Sequence, residues 1–249
     1  MKALFIRCYG RLTPDMLCGG LIDMGVPPVY LKARLRDAGA SDHFLEKANA
    51  EAQFSAHYFH IPDSGDSAPL TYGMLLEKWR GLCTASGAAW EKAGEKVLSL
   101  VRTENGEDDL RTLAVRPEDA VSLFCFLAGV EYLDAEALFT CPFEVGPGAT
   151  AAGKKAESIL VRAGSTAGLP IPADGISPFA AAMLEALSED FTPMDGRFLL
   201  DSTAYGSASS ESPDGENTAA LYLGYFTERQ DSLFGRQMKV FGTKQDLLF

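Results

Sequence analysis

The chain has few of the residues that build most protein metal and redox sites. Its 249 residues contain three histidines and five cysteines. An odd number of cysteines without any Cys-x-x-Cys pair argues against a disulfide framework and against a zinc knuckle. Three cysteines lie in apolar surroundings, where a free thiol usually behaves as a small hydrophobic residue. Cys8 and Cys18 flank the first predicted loop, so two readings stay open for them: a thiolate pair for a soft or borderline metal, or core packing.

Long apolar runs and an excess of positive charge are also missing. No apolar run approaches the roughly 20 residues of a membrane-spanning helix, and the apolar run 3–6 is too short for a signal peptide. We therefore expect no membrane partner and a cytoplasmic location. The formal net charge of −12 disfavours nonspecific binding to nucleic acid. An anionic nucleotide would need a local basic pocket against that charge.

Common catalytic motifs do not appear in the sequence. The spacing of a Walker phosphate loop is not met, and no nucleophile with its base can be argued from spacing alone. His57 and His60 are the only closely spaced histidines. In a strand their side chains point to opposite faces, so they cannot share one metal without a bulge. Structural roles are the favoured interpretation for both, and a solvated position is expected for His43.

The composition and the order of predicted elements are those of a globular α/β protein. Hydrophobic residues make up 47% and charged residues 22% of the chain, which is ordinary for a globular domain. Strand and helix patterns are mixed along the chain, which predicts a mixed sheet with helices packed on it, with an α+β arrangement as the alternative. We expect one domain over residues 1–226 and a tail over 227–249 that packs on the domain or on a partner chain.

Hydrophobic periodicity and end signals give the predicted elements. Strands are predicted over residues 2–9, 53–61, 137–145, 169–171, 196–205 and 219–226. Helices are predicted over residues 14–25, 27–38, 72–84, 88–103, 118–133, 154–163 and 177–190. The helix 118–133 is the most apolar of them and is expected at the centre of the fold.

The most informative segment joins the first strand to the first helix. Thr13 is the candidate N-cap and Pro14 occupies the first helical position, where a missing N–H costs nothing. Asp15 follows in the first turn, where the helix dipole favours negative charge. A strand that leads through a short loop to a helix start often places ligands in α/β proteins. Asp15 is therefore either a residue that coordinates a metal or orients a ligand, or simply an acid that complements the dipole.

Two further segments are candidate anion sites. Glu144 ends a predicted strand and is followed by Gly146-Pro147-Gly148, whose backbone N–H groups could cradle a phosphate. A flexible hairpin loop is the alternative for this segment. Ser177 caps a predicted helix, whose start is a second potential anion site on backbone grounds.

The first helix also carries a resemblance to a known family. Asp15-Met16-Leu17 and the small residues that follow resemble the N-terminal pattern of the nickel-insertion proteins of the lactate racemase cofactor pathway. Weaker similarity continues to about residue 226, and its pieces follow the family order. The matching residues of the first helix are Asp15, Met16, Leu17, Gly19, Leu21, Asp23, Gly25 and Val26.

The resemblance implies an α/β module that handles nickel for a pyridinium-3,5-bisthiocarboxylate mononucleotide. Family members insert nickel into this nucleotide and use CTP to do so. The CTP-binding C-terminal domain of the family has no counterpart in these residues, so we expect a separate CTP-binding chain as a partner, and a homo-oligomer is a further possibility. The resemblance implies Asp15 and Glu118 as metal residues. It implies a ligand pocket formed by Arg7, Tyr9, Gly10, Thr13, Glu144, Gly146, Gly148 and Ser177.

Several departures from the family pattern favour a second hypothesis. Arg7 stands where the family has a strand-end acid, and the segment 62–72 lacks the family's histidines. Near the start of the helix 118–133, only Glu118 could stand in for the acid of the family's His-x-His-Glu pattern. The second hypothesis is a non-catalytic ligand-binding or assembly protein that has kept the scaffold but lost the metal site. In that case Arg7 could bind an anionic ligand directly.

Overall fold

A computed structural model describes residues 1–49, 55–65, 68–84, 88–103, 108–162, 169–195, 197–208 and 218–226. In these ranges the chain forms helices and a mixed sheet, which confirms the predicted α/β class. None of the helices in these ranges is long and apolar enough to cross a membrane. The predicted tail over 227–249 lies outside the described residues.

The strands are β1 (Lys2–Cys8), β2 (Leu45–Asn49), β3 (Ala56–His60), β4 (Ala137–Thr140), β5 (Phe143–Val145), β6 (Leu169–Ile171), β7 (Asp190–Phe191), β8 (Phe198–Ser207) and β9 (Thr218–Phe226). The helices are α1 (Pro14–Asp23), α2 (Pro28–Asp37), α3 (Tyr72–Cys83), α4 (Ala88–Val101), α5 (Pro117–Tyr132), α6 (Ala151–Arg162) and α7 (Pro178–Leu187). Two 3₁₀ turns cover Leu110–Leu113 and Ala173–Gly175.

The main sheet has the strand order β2-β3-β8-β9-β1-β4-β7. Strand β1 pairs in parallel with β4 and antiparallel with β9, and β8 pairs antiparallel with β9 and parallel with β3. Strands β1, β3, β4, β7 and β8 therefore share one direction, since β4 also pairs in parallel with β7. Their carboxyl ends lie at one edge of the sheet, which is where open α/β sheets usually bind ligands.

The helices pack on one face of this sheet around a single large cluster of buried residues. Leu4 and Ile6 of β1 point into this cluster, together with apolar residues of every helix. Every residue of α5 from Glu118 to Val130 is buried, which confirms its predicted central position. Each buried Leu, Phe or Val of this helix contributes about 1.5–3 kcal/mol through the hydrophobic effect.

Helix α1 lies in direct backbone contact with the sheet. A Cβ atom on Gly19 would lie 2.3 Å from the carbonyl oxygen of His57 in β3. A Cβ atom on Gly206 in β8 would lie 1.7 Å from the carbonyl oxygen of Met16. Only glycine allows these approaches. The first turn of α1 is therefore fixed against the carboxyl end of β8, and the middle of α1 against β3.

The opposite face of the sheet carries a smaller aromatic cluster. Ala3 and Phe5 alternate with the core-facing residues of β1, and the ring of Phe5 stacks on Phe139 with 4.9 Å between ring centroids. Phe226 completes the stack, with its ring centroid 5.3 Å from that of Phe139. The two-residue period of β1 places Arg7 on this same face.

Three predicted segments differ from the structure for identifiable reasons. The segment 137–145 was predicted as one strand, but it forms β4 in the main sheet and β5 in a separate two-stranded sheet with β6. Pro142 lies between them and has no N–H to donate to a ladder. Helix α6 begins earlier than predicted because the Thr150 hydroxyl accepts a hydrogen bond from the Gly153 N–H at 3.0 Å. Helix α7 ends at Leu187, and the chain continues into β7.

Two strands were not predicted at all. Strand β2 has the sequence Leu-Glu-Lys-Ala-Asn and shows no alternation of apolar and polar residues. It is the edge strand of the sheet and pairs with β3. Strand β7 is two residues long and pairs with β4 at the other end.

Candidate functional site

A cavity of about 410 Å³ opens at the carboxyl edge of the sheet. Its wall is formed by the loop after β1, the end of β3 and the starts of α1, α5, α6 and α7. The polar residues on this wall are Arg11, Thr13, Asp15, Tyr58, His60, Arg116, Asp119, Asp174 and Ser177. We call this space the Asp15 cavity.

Four helices of the described residues begin at this wall. Pro14, Pro178 and the residue before Pro117 line it at the starts of α1, α7 and α5. Ala152, the second residue of α6, lines it as well. The N-terminal end of a helix carries a partial positive charge from the aligned peptide dipoles. The cavity is therefore an electrostatically favourable place for negative charge within a chain of net negative charge.

Asp15 lies at the centre of a hydrogen-bond network in this wall. It is only 7% exposed. Its Oδ1 atom accepts a hydrogen bond from the Ser122 hydroxyl at 2.7 Å. Its Oδ2 atom lies 2.8 Å from His60 Nδ1 and accepts a hydrogen bond from Arg116 Nη2 at 3.3 Å. Both carboxylate oxygens are thus engaged by three side chains from β3, α5 and the residue before α5.

Arg116 connects Asp15 to a second buried acid. Its Nη2 atom lies 3.3 Å from Asp119 Oδ1, and its backbone N–H donates to Asp119 Oδ2 at 2.9 Å. Burial raises the pKa of the Asp119 carboxyl to about 7, against the opposing attraction of Arg116. One guanidinium therefore serves two carboxylates.

His60 combines a fixed orientation with access to the cavity. Nδ1 is the ring nitrogen that faces Asp15, and a hydrogen bond donated by the ring to that carboxylate requires the proton on Nδ1. The side chain stays 31% exposed and lines the cavity. The ring stacks on Tyr58, with 6.1 Å between the ring centroids and an angle of 28° between the planes.

The two histidines of β3 lie in different surroundings, as predicted. His57 lines a separate groove beside Val26 and Pro27. Burial lowers the pKa of His57, and the nearby Asp23 opposes that change. The sequence-based assignment of a structural role to His60 did not include its contact with Asp15. The contact joins positions 45 residues apart in the chain.

Among the predicted ligand residues, Thr13 and Ser177 line the Asp15 cavity together with Asp15. The hydroxyl of Thr13 accepts the Met16 N–H at 3.4 Å, and the hydroxyl of Ser177 accepts the Ala180 N–H at 3.0 Å. Both are N-caps, as predicted. Gly10 supports the wall from behind: a Cβ atom on Gly175 would lie 2.4 Å from the Gly10 carbonyl oxygen.

Glu118, predicted as the second metal residue, lines a different cavity of about 540 Å³ together with His43 and Lys78. It is 3% exposed, and its Oε1 atom accepts the Ser64 N–H at 3.2 Å. Among the residues that the structure describes, its Oε2 atom has no hydrogen-bond partner. The structure thus places Glu118 and Asp15 in separate cavities. In the described part of the chain, no three His, Cys, Asp or Glu side chains are grouped so that they could hold a metal.

Arg7 and Tyr9 lie away from the cavity, near the aromatic cluster on the other face of the sheet. The guanidinium carbon of Arg7 lies 5.2 Å from the centroid of the Tyr9 ring. The hydroxyl groups of Tyr9 and Tyr222 are 3.0 Å apart. Burial and the hydrogen bond with Tyr9 raise the pKa of Tyr222. The structure therefore separates these two predicted ligand residues from Asp15.

The glycine-containing loop after β5 has its backbone donors occupied. The Gly148 N–H donates to Glu157 Oε2 at 2.9 Å. The Thr150 hydroxyl donates to Asp174, as do the N–H groups of Ala149 and Thr150 at 2.9 Å each, and these bonds lower the pKa of Asp174. Carboxylates of the chain itself thus fill the positions that a phosphate would take. Glu144 is exposed on β5, and Gly146 donates to the Ile171 carbonyl at 2.9 Å.

The five cysteines are all buried as free thiols. Cys18 Sγ donates to the Ser122 carbonyl at 3.1 Å, and Cys8 Sγ lies 3.6 Å from the Arg11 carbonyl. Burial raises the pKa of Cys8 to about 12. These contacts support core packing over a thiolate pair.

The fold and the network together define an α/β protein with an acid–histidine–arginine site at the carboxyl edge of its sheet. The chain is similar to proteins whose names assign them to nickel insertion. It is 23% identical over 247 residues to one from Geotalea daltonii and 25% identical over 254 residues to one from Citrifermentans bemidjiense, each match covering 92% of this chain. It is 24% identical over 252 residues, 90% of this chain, to the pyridinium-3,5-bisthiocarboxylic acid mononucleotide nickel insertion protein of a Thermotoga species.

The similarity covers most of this chain but only part of each relative. The matches span 62–63% of the length of these three proteins. No protein-family model matches the chain. No solved structure matches it significantly.

Proposed function

We propose that this chain binds a pyridinium mononucleotide in the Asp15 cavity and takes part in inserting nickel into it. The observation that carries the proposal is the similarity, over about 90% of the chain, to a protein named for nickel insertion into pyridinium-3,5-bisthiocarboxylic acid mononucleotide. In this proposal the chain is a diverged counterpart of the N-terminal part of such proteins. A separate CTP-binding chain is the proposed partner for the CTP-dependent step.

The charge and size of the Asp15 cavity support a ligand of this chemistry. A volume of about 410 Å³ is within the usual range for small-molecule sites. The starts of α1, α5 and α7 and the guanidinium group of Arg11 favour the phosphate and thiocarboxylate groups. The aromatic ring of Tyr58 on the same wall offers a π face to a pyridinium cation.

Asp15 and Glu118 keep different roles in this proposal. Asp15 lies on the wall where the thiocarboxylates would sit. Glu118 would hold nickel in the neighbouring cavity before transfer, because its buried Oε2 atom has no partner of its own. Both cavities border the first turn of α5, which carries Glu118 on one side and Asp119 on the other.

Ligand-induced stabilisation tests the nucleotide part of the proposal. A ligand that binds only the folded state at 100 times its Kd adds about 2.7 kcal/mol to the free energy of unfolding. We expect this stabilisation for the wild type with the pyridinium bisthiocarboxylate mononucleotide. The variant Ala152→Trp should lose it, because the indole fills the cavity that Ala152 lines.

The matched control is Ala151→Trp, since Ala151 is the exposed neighbour on the same helix turn and does not line the cavity. It should keep the full stabilisation by the nucleotide. Equal stabilisation of both variants, or none in the wild type, would contradict binding in this cavity.

The alternative is a binding or assembly protein without nickel chemistry. The observation that favours it is the engagement of both Asp15 oxygens by three side chains of the protein. Incubating the nickel-loaded protein with the mononucleotide and measuring nickel in the separated nucleotide by elemental analysis distinguishes the two. Nucleotide binding without nickel transfer, with the partner chain and CTP present, would establish the alternative.

A further inference from the structure

We infer that, within the Asp15 cavity, His60 is the residue that contacts the nickel ion, through its Nε2 atom, and that Asp15 is a positioning residue for the His60 ring. This inference rests on the proposed function and assigns the metal contact within it. The observation behind it is the position of the His60 ring, which has the buried Asp15 carboxylate at Nδ1 and faces the Asp15 cavity with its other side.

The geometry fixes which ring nitrogen is available. Nδ1 of His60 lies 2.8 Å from Asp15 Oδ2. The opposite nitrogen, Nε2, has no hydrogen-bond partner among the described residues, and the side chain lines the cavity. With the ring proton on Nδ1, Nε2 carries a lone pair. A metal can bind there without release of a proton from the ring.

Asp15 itself is poorly placed to be the metal ligand. It is 7% exposed, and its two oxygens already accept from Ser122, His60 and Arg116. A metal at Asp15 would have to reach a nearly buried carboxylate that already accepts three hydrogen bonds. As a carboxylate behind a histidine, Asp15 instead fixes the ring orientation and makes the imidazole a better donor, which is a common arrangement around metal-binding histidines.

The donor chemistry suits nickel and this ligand. Neutral imidazole binds nickel well, and thiolate-type sulfur favours soft and borderline metals. A single imidazole leaves coordination positions for the two thiocarboxylate sulfurs of the nucleotide. A site with one protein nitrogen would bind nickel more weakly than the two sulfurs of the nucleotide do. The ion could therefore pass from the protein to the nucleotide.

His57 provides a matched control within the same strand. Like His60 it lies in β3 near an aspartate of α1, in this case Asp23. It lines a different groove, outside the Asp15 cavity. His57 thus shares the strand and a nearby aspartate with His60 but lies outside the Asp15 cavity.

The test uses the imidazole signals of the untagged protein, because it contains only three histidines. Long-range ¹H–¹⁵N spectra near pH 7.5, assigned with single His→Gln variants, report which nitrogen of each ring carries a proton. We expect His60 to carry its proton on Nδ1. Addition of Ni²⁺ alone, which is paramagnetic with imidazole and water ligands, should broaden the His60 ring signals at lower concentration than those of His43 and His57.

Affinity measurements with Ni²⁺ give the second readout. His60→Gln should weaken binding at least about tenfold, and Asp15→Asn should weaken it about 10- to 100-fold while the His60 ring proton is no longer fixed on Nδ1. His57→Gln should bind as the wild type does. Thermal unfolding of each variant shows that it is folded before the comparison is made.

Three results would overturn the inference: a proton on Nε2 of His60 in the metal-free protein, first broadening at His43 or His57, or unchanged nickel affinity in a folded His60→Gln variant. These outcomes are independent of nucleotide binding, which the Ala152→Trp comparison measures. A protein that binds the nucleotide but fails here keeps the nucleotide site and loses the histidine assignment.

Discussion

Ser122 shows how strongly the site depends on single buried polar groups. It is fully buried in α5, and its hydroxyl donates to Asp15 Oδ1 at 2.7 Å. In a buried position the loss of one hydrogen-bond partner costs the desolvation of the group that remains. Here the remaining group would be one oxygen of the carboxylate that orients His60.

We expect Ser122→Ala to lower the free energy of unfolding by about 1–3 kcal/mol, because the buried carboxylate loses a donor. Urea unfolding measures this change. Ser99→Ala is the control: Ser99 is also helical, but it is exposed and its hydroxyl bonds only to the Lys96 carbonyl. That control should change stability by less than about 0.5 kcal/mol. Equal effects in the two variants would show that the Ser122 bond adds nothing to stability.

At the residue scale, features set by neighbouring residues could be predicted from the sequence. Contacts between residues far apart in the chain could not. Thr13, Asp15 and Ser177 were placed near a ligand site by helix-start signals, which involve neighbouring residues only. His60 and Ser122 contact Asp15 from 45 and 107 residues away. Glu118 was chosen as the counterpart of the acid in the family's His-x-His-Glu pattern, whereas the adjacent Asp119 faces the Asp15 cavity. A one-residue difference rotates a helical side chain by about 100°, which periodicity in an almost wholly buried helix cannot resolve.

At the element scale, the position of α1 is set by backbone contacts rather than by side-chain packing. Glycines on both sides of the interface, Gly19 in α1 and Gly206 in β8, allow the carbonyl groups of the opposite element to approach. Side chains would hold the helix farther from the sheet. The distance between Asp15 on α1 and His60 on β3 depends on this contact.

We expect Gly206→Ala to destabilise the protein by at least about 1–3 kcal/mol through overpacking, because its Cβ would collide with the Met16 carbonyl. The same variant should release the His60 ring from its fixed tautomer, which the ¹H–¹⁵N spectrum detects. Gly81→Ala in α3 is the control, since nothing lies within 4 Å of its added Cβ. It should stabilise the protein by about 0.4–1 kcal/mol. A neutral Gly206→Ala would mean that α1 has room to shift.

The elements that sequence patterns identified best were those with strong end signals. Helices α1 and α7 start at the predicted capped positions, and the central α5 was expected from its apolar composition. The segment 137–145 was misjudged because apolar residues on both sides of Pro142 hide the transfer of the chain from one sheet to another. Strand β2 was missed because its partner, and not its own composition, makes it a strand.

At the scale of the whole molecule, the negative net charge of the chain is opposite in sign to the helix-dipole ends at the Asp15 cavity. The chain carries a net charge of −12, while four helix starts point positive dipole ends at one cavity. Two buried carboxylates, Asp15 and Asp119, share the guanidinium of Arg116 in that wall. Because the Asp119 pKa is about 7, its protonation changes the charge of the site within the range of ordinary buffers.

This shift predicts the pH dependence of stability. The pKa of Asp119 rises from 3.8 to about 7 on folding, so the folded state holds more protons between these values. The contribution of this group to the free energy of unfolding therefore falls as the pH rises from about 4 to about 7. Urea unfolding should show that Asp119→Asn, which keeps an acceptor for the Arg116 N–H and leaves Asp15 in place, loses this decline.

A control of opposite sign is Asp109→Asn. Hydrogen bonds from the Leu70 and Arg111 N–H groups lower the pKa of Asp109, so its contribution is present above the unfolded pKa and is lost as the pH falls. The slopes of the two variants should thus depart from the wild type in opposite directions. Parallel curves for wild type and Asp119→Asn would contradict the raised pKa.

The close backbone contacts around the cavity also bear on what it can accept. On one side α1 touches β3 and β8; on the other, Gly175 lies against Gly10, and the Leu12 N–H bonds to the Gly175 carbonyl at 3.0 Å. Main-chain atoms that already touch cannot move closer, and moving them apart breaks hydrogen bonds. Such a rigid wall excludes ligands that are too large for the cavity, because the backbone cannot move to make room for them. A change of ligand specificity would then require substitution of lining side chains such as Tyr58 or Arg11, while the backbone of the wall stays in place.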